Sequence, residues 1–248
     1  MTYSRSARWD AGNVSARRGF YDALSSQGLP AAAASPASRP LLTGDGVVFV
    51  GRVRHGAGGT TMFDMNGVQI RTTVTGTTGL FAAMSQVQKV SDNLFQVYLD
   101  GALQPSSRFN TSAWAAGQVV KVPLFPGGSL DAAATHAVTI FKDTEPGGRM
   151  NQSSGVMASN YITFHGFSGD STARLLPPTR GASATPAHKV EFLGDSITAG
   201  FDNMCDIPAA PTGSPTFGSE SFALSWATLM CTELDAECHY NAWSGLWW

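Results

Sequence analysis

Three consecutive residues, Gly194, Asp195 and Ser196, carry the strongest chemical signal in this 248-residue chain. A serine hydroxyl is a weak nucleophile unless it is held exposed, given a base, and faced by donors for the oxyanion its attack creates. Ser196 follows the apolar run Val190-Glu191-Phe192-Leu193 and precedes Ile197-Thr198-Ala199-Gly200, where a helix pattern begins. That setting predicts a sharp strand-to-helix turn in which Gly194 lets the backbone reverse and Asp195 serves as a structural turn carboxylate. The Ser196 N–H and the helix start then point at an incoming carbonyl oxygen. The chemistry expected is ester hydrolysis with Ser196 as nucleophile. No His, Cys, Asp and Glu residues share metal-ligand spacing, since Cys231 and Cys238 are too far apart for a Cys-x-x-Cys knuckle, so neither metal nor cofactor is expected. His136 and His165 alternate with apolar neighbours as packed or surface imidazoles, and His188 precedes the Ser196 strand at its wrong end. His55 stands among Arg52, Arg54 and Gly56, where a sugar contact is conceivable.

The elements that must hold this turn are read from hydrophobic period. Residues 1–40 show no sustained period and end in the Pro/Ala/Ser run 30–40, which predicts a mobile leader and linker. Residues 41–176 switch to short apolar runs that alternate in Val68-Ile70-Thr72-Val74, in Phe95-Val97-Leu99 and in Val138-Ile140. Asn66-Gly67 and Asp100-Gly101 provide the positive φ of tight hairpins. Many short strands between regular turns predict a β-sandwich, or jelly roll. Prolines 177, 178 and 186 make 177–188 a linker. Beyond it, strand, turn, a helix over 220–234 with Phe222, Trp226, Leu229, Met230 and Leu234 on one face, and a second strand over 237–242 predict the opening of an α/β domain with a parallel sheet, spanning 189–248.

Composition narrows the partners. The net charge is −2 and no long basic run occurs, so nucleic acid and anionic membrane surfaces are not expected partners. No apolar run approaches the roughly 20 residues that span a bilayer. No apolar stretch follows the N-terminal arginines, so no signal peptide is visible. The three cysteines lie in one late segment. Two arrangements fit: a local disulfide with one free thiol, Cys205 pairing with Cys231 or Cys238, or three buried reduced thiols. Asn13, Asn110 and Asn151 sit in glycosylation sequons.

Gly194-Asp195-Ser196-Ile197-Thr198 resembles the first conserved block of the SGNH, or GDSL, hydrolases. Asn241-Ala242-Trp243-Ser244-Gly245 resembles their second block, and the resemblance implies that Gly245 joins the Ser196 N–H in the oxyanion hole. The whole layout resembles carbohydrate esterase family two, the acetyl xylan esterase-like enzymes in which a jelly roll precedes a flavodoxin-like SGNH domain. Gly51-Arg52, Val97 to Gly101, His136 to Glu145, Leu176-Pro177-Pro178 and Glu220 to Trp226 support it. The resemblance runs from about Leu41 to Gly245. It implies an acetylated polysaccharide or oligosaccharide as substrate and an extracellular or secretory setting.

The sequence departs from that family after Gly245. The family's third block, with its oxyanion-hole Asn, and its Asp-x-x-His block are not found; Asp235 and His239 are four apart rather than three. The chain is therefore expected to be a C-terminally truncated portion of a longer esterase, inactive as it stands, with Trp226, Trp243, Trp247 and Trp248 partly exposed. The alternative is a noncatalytic carbohydrate-binding β-sandwich with a degenerate esterase remnant. A lipase or thioesterase with an acyl-chain substrate has no apolar lid in its favour.

Overall fold

A computed structural model describes residues 41–88, 92–126, 130–146, 161–178, 188–204 and 220–245. The expected leader, residues 179–187 of the linker, Cys205, Asn13, Asn151, Trp247 and Trp248 lie outside the described residues. Strands form where β-branched and aromatic residues alternate, because such side chains pack on a pleated surface. In chain order they are β1 (Val47–Val50), β2 (Arg54–His55), β3 (Thr61–Phe63), β4 (Gln69–Thr75), β5 (Phe81–Gln86) and β6 (Leu94–Leu99). They continue with β7 (Ala102–Leu103), β8 (Phe109–Asn110), β9 (Val120–Pro123), β10 (Thr135–Lys142), β11 (Ile162–Ser168) and β12 (Arg174–Leu176).

These strands make two sheets. One runs β1-β4-β10-β6-β7, with β12 and β8 added beside β4 and β6; the other runs β2-β3-β11-β5-β9. The pairings are antiparallel, as between β10 and both of its neighbours. Ile70, Val74, Val97, Val138 and Ile140 of the first sheet meet Phe63, Met84, Ile162 and Phe164 of the second in one apolar core. The chain thus forms a β-sandwich, as the alternation predicted. Asp100 and Gly101, at φ 51 and φ 82, close the β6–β7 hairpin. Asn66-Gly67 does not close a hairpin: it carries the chain from β3 in one sheet to β4 in the other.

The first sheet is unusual in burying both faces near one end. Phe141 points away from the sandwich core, yet only 5% of it is exposed. It stacks on Phe222, with ring centroids 6.1 Å apart, and joins Phe192, Ala227, Cys238 and Tyr240 in a second apolar cluster. That cluster belongs to the C-terminal segment: β13 (His188–Gly194), α1 (Ser196–Ala199), α2 (Trp226–Glu233) and β14 (Ala236–Ala242). β13 and β14 pair in parallel, in register from His188 with Ala236 to Gly194 with Ala242. Parallel neighbours need a crossover, and α2 lies on it just before β14.

The expected helix over 220–234 is shorter and turned. Residues Phe222–Leu224 form a 3-10 turn, and Ser225 then caps α2 by accepting from the Thr228 N–H. The earlier backbone donors are already committed, because the N–H of Phe222 goes to the Asp143 carbonyl and that of Ala223 to the Asp143 carboxylate. Of the face expected to be apolar, Phe222 is buried, while Trp226, Leu229, Met230 and Leu234 are 41–48% exposed. Ala227 and Cys231 take the inward side instead. Trp243, expected to be exposed, is buried.

Gly67 marks where the two parts meet. Its φ is +69, and a Cβ there would overlap the Tyr240 ring and stand 2.6 Å from Phe222 Cε1. Left-handed backbone in a non-glycine residue and overpacking each cost about 1–3 kcal/mol. Gly67→Ala is expected to lower the unfolding free energy in urea by about 2–5 kcal/mol; a loss below about 0.5 kcal/mol, within the range of neutral surface changes, would mean that Tyr240 does not pack on this turn.

Candidate active site

Ser196 and Gly245 lie just beyond the carboxyl ends of two paired parallel strands, the place where open α/β sheets assemble reactive groups. Gly194 pairs with Ala242, and the Trp243 N–H donates to the Gly194 carbonyl at 3.2 Å. The two loops therefore leave the sheet side by side, one carrying Ser196 and the other Ser244 and Gly245. Gly194 is packed so closely on Thr198 that a side chain there would overlap it. Asp195 caps α1: its Oδ1 accepts from the Ile197 N–H at 3.0 Å and its carbonyl from the Ala199 N–H at 3.0 Å. Ser196 is half-buried at the first position of that turn. Gly200, at φ +80, ends it, and Asn203 then ties the following loop to Ser221 through two hydrogen bonds.

Gly245 is exposed, has φ +80 and meets nothing within 4 Å of where a Cβ would stand, so its glycine serves backbone conformation rather than space. Its neighbour is anchored from outside the parallel pair. The Ser244 N–H donates to Glu145 Oε2 at 2.6 Å, across 99 residues of sequence. Glu145 lies just after β10 and is 3% exposed.

Glu145 belongs to a buried polar run, Lys142 to Glu145, in which no residue is more than 3% exposed. The Lys142 ammonium donates to the carbonyls of Thr144 and Glu145 at 2.5 and 3.2 Å. Asp143 accepts from Gln96 Nε2 at 2.6 Å, from the Ser221 hydroxyl at 3.0 Å and from the Ala223 N–H at 2.8 Å. Arg108 stands 3.5 Å from the same carboxylate. The Glu145 N–H donates to Glu220 Oε1 at 2.6 Å. Burial pushes the Lys142 ammonium down to about 8 against the pull of Glu220, Asp64, Glu145 and Asp143. Burial also raises the Glu145 carboxyl, opposed by the Ser244 amide, and raises Glu220 well above the ordinary glutamate value, with the Glu145 charge adding to it.

None of the chain's five histidines hydrogen-bonds Ser196. His55 bonds the Thr61 hydroxyl, His136 bonds Asp100, and His165 bonds the Ser85 hydroxyl on the sandwich. His188 starts β13 at the end far from Ser196, and His239 pairs in register with Glu191, well short of the turn. No group of three His, Cys, Asp or Glu residues suited to a metal ion occurs among the described residues.

The disulfide is not the one expected. Cys231 bonds Cys238 rather than either bonding Cys205. The chain reverses between α2 and β14 through Asp235, at φ +47, and this brings the inward side of the helix end opposite the start of the strand, with Cα atoms 6.2 Å apart. The spacing of seven residues was read only against metal knuckles, and a helix-to-strand reversal meets it as well.

The structure brings the loops of Ser196 and Gly245 side by side, and adds Glu145, Glu220 and the rest of the polar network, which the sequence reading did not place in this region. Glu145 and Glu220 lie in segments that carry the family resemblance, and Glu145 ends a polar run that continues an apolar strand without a turn residue between. Nothing local in it says that the run is buried.

No protein-family model and no curated protein matches the chain. Solved structures do. A family two carbohydrate esterase from Clostridium thermocellum, in complex with cellohexaose, is 23% identical with a TM-score of 0.62 over 81% of this chain and 52% of that one. An acetyl xylan esterase from the rumen bacterium Butyrivibrio proteoclasticus is 20% identical with a TM-score of 0.62, covering 82% and 47%. A family two carbohydrate esterase from Cellvibrio japonicus is 20% identical with a TM-score of 0.56, covering 83% and 52%. The chain has the fold of these esterases over the part it covers, and it spans about half their length.

The buried carboxyl at Glu220 gives a signed prediction. A folded state that holds a proton the unfolded chain has released loses stability as pH rises between the two proton affinities. Glu220→Gln is permanently neutral, so its melting temperature is expected to gain on the wild type as pH rises above the ordinary glutamate value. A gap that narrows as pH rises would show that Glu220 is ionised in the folded protein.

Proposed function

We propose that this chain carries the nucleophile half of a carbohydrate O-acetyl esterase of the SGNH type, with a jelly-roll sandwich over 41–176 and the opening of the hydrolase domain over 189–248. One observation carries the reading: Ser196 and Gly245 emerge side by side from adjacent parallel strands, each on its own tight turn. In the reaction, the Ser196 hydroxyl attacks the acetyl carbonyl while the N–H groups of Ser196 and Gly245 hold the developing oxyanion. The sugar hydroxyl leaves, and water hydrolyses the acetyl-serine in a second step. This route draws on protein groups alone and needs no cofactor. The likeness to esterases, one of them an acetyl xylan esterase, supports acetylated plant polysaccharide as the substrate class. The Cys231–Cys238 bond fits an oxidising, secretory setting.

No histidine hydrogen-bonds Ser196 among the described residues, which supports the reading that residues 1–248 by themselves do not activate it. Acetate release from acetylated xylan and p-nitrophenol release from its acetate ester test both statements. Residues 1–248 alone are expected to stay at the buffer rate. In any longer chain that contains these residues and hydrolyses the ester, Ser196→Ala is expected to lower the rate on the order of 10⁴-fold or more. Ser196-dependent hydrolysis by residues 1–248 alone would overturn the inactivity; activity of a longer chain containing them that survives Ser196→Ala would overturn the nucleophile.

A further inference from the structure

Glu145 makes three hydrogen bonds that converge from three parts of the molecule. Its carbonyl accepts from Lys142 on its own strand end, its N–H donates to Glu220 ahead of α2, and its carboxylate accepts from the Ser244 N–H at the end of β14. The last bond is short, 2.6 Å, and lies at a residue only 3% exposed. A charge-assisted bond to a backbone amide in low dielectric is about twice as strong as a neutral one. The amide it holds is one peptide away from the Gly245 N–H, which lies on an exposed left-handed turn. From this geometry we infer that Glu145, a residue of the sandwich, is a positioning residue that fixes the Gly245 amide as an oxyanion donor. This deepens the proposed function and rests on it.

The consequence is that the sandwich is part of the reactive site rather than an appended binding module. Glu145 touches no reacting atom; it acts through the Ser244-Gly245 peptide. The charged groups facing it are Lys142 and Glu220; Asp143 and Asp64 face Lys142 in turn, and Arg108 pairs with Asp143. The Lys142 ammonium keeps the carboxylate from standing alone, and burial raises the Glu220 carboxyl, which disfavours a second charge beside it.

The test needs no turnover. Amide resonances of the 248-residue protein are followed by nuclear magnetic resonance as sodium acetate is added, against sodium chloride at the same ionic strength. Acetate is the probe because its carboxylate presents the oxygen that the donors of Ser196 and Gly245 should meet. In the wild type, the Ser196 and Gly245 amides are expected to shift together, saturably. In Glu145→Ala, the Gly245 response is expected to vanish while that of Ser196 remains. Glu145→Gln keeps an acceptor for the Ser244 N–H, so it is expected to restore the Gly245 response but to lose the pH titration of the Ser244 amide that is expected in the wild type. That pairing separates positioning from mere loss of fold, which would remove both responses and the dispersion of the spectrum. A Gly245 response unchanged in Glu145→Ala overturns this inference alone. A wild type in which neither amide responds overturns the oxyanion-hole reading and the inference with it. A Glu145→Ala protein that unfolds leaves the decision to Glu145→Gln, where a Ser244 amide still titrating as in the wild type overturns the inference.

Discussion

The structure turns on one buried carboxylate, with Arg108 3.5 Å away, that draws its hydrogen bonds from two parts of the chain. Asp143 is fully buried and collects hydrogen bonds from Gln96 on β6, from the Ser221 hydroxyl and from the Ala223 N–H, while its main chain bonds Leu94 and Phe222. Removing such a charge from water costs several kcal/mol, and only a full set of donors offsets it. Those donors come from both the sandwich and the segment leading into α2, so Asp143 is satisfied only when the two are docked. The helix start, the stacking of Phe141 on Phe222 and the approach of Tyr240 to Gly67 all follow from that one requirement.

A second carboxylate extends the same logic to the parallel strands. Glu145 lies two residues further on, and its bond to Ser244 fixes where β14 ends. β13 is fixed in turn by its register with β14. The placement of Ser196 relative to Gly245 is thus set by strand pairing and by a contact with the antiparallel sheet, not by the turn containing Ser196 alone.

The sequence disclosed the local parts well. Val68 to Val74 and Val138 to Ile140 alternate because one side of each strand meets the sandwich core, and Asp100-Gly101 closes a hairpin because both residues accept positive φ. The turn at Gly194 to Ser196 was equally legible, since an apolar strand, a glycine and a capping aspartate describe it residue by residue. What stayed hidden was long-range. Ser225 rather than Glu220 starts the helix because Asp143, far away in sequence, claims the earlier N–H groups. Its stripe of Trp226, Leu229, Met230 and Leu234 faces outward because docking on Phe141 and Tyr240 uses the small side of the helix, at Ala227. Cys231 meets Cys238 only because the chain doubles back at Asp235. Periodicity reports which residues share a face, and it does not say what that face will meet.

The long span of the Glu145–Ser244 bond bears on how the protein is made. Its partners are 99 residues apart, and Arg52 with Asn241, which also join the two parts, are 189 apart. Closing such loops is entropically expensive, and a growing chain orders its N-terminal portion first. The strands that present Asp143 and Glu145 are therefore synthesised in full before the residues that satisfy them. During that interval the nascent sandwich carries an unfilled polar socket, and the late-emerging helix and strand arrive at a surface already shaped to receive them.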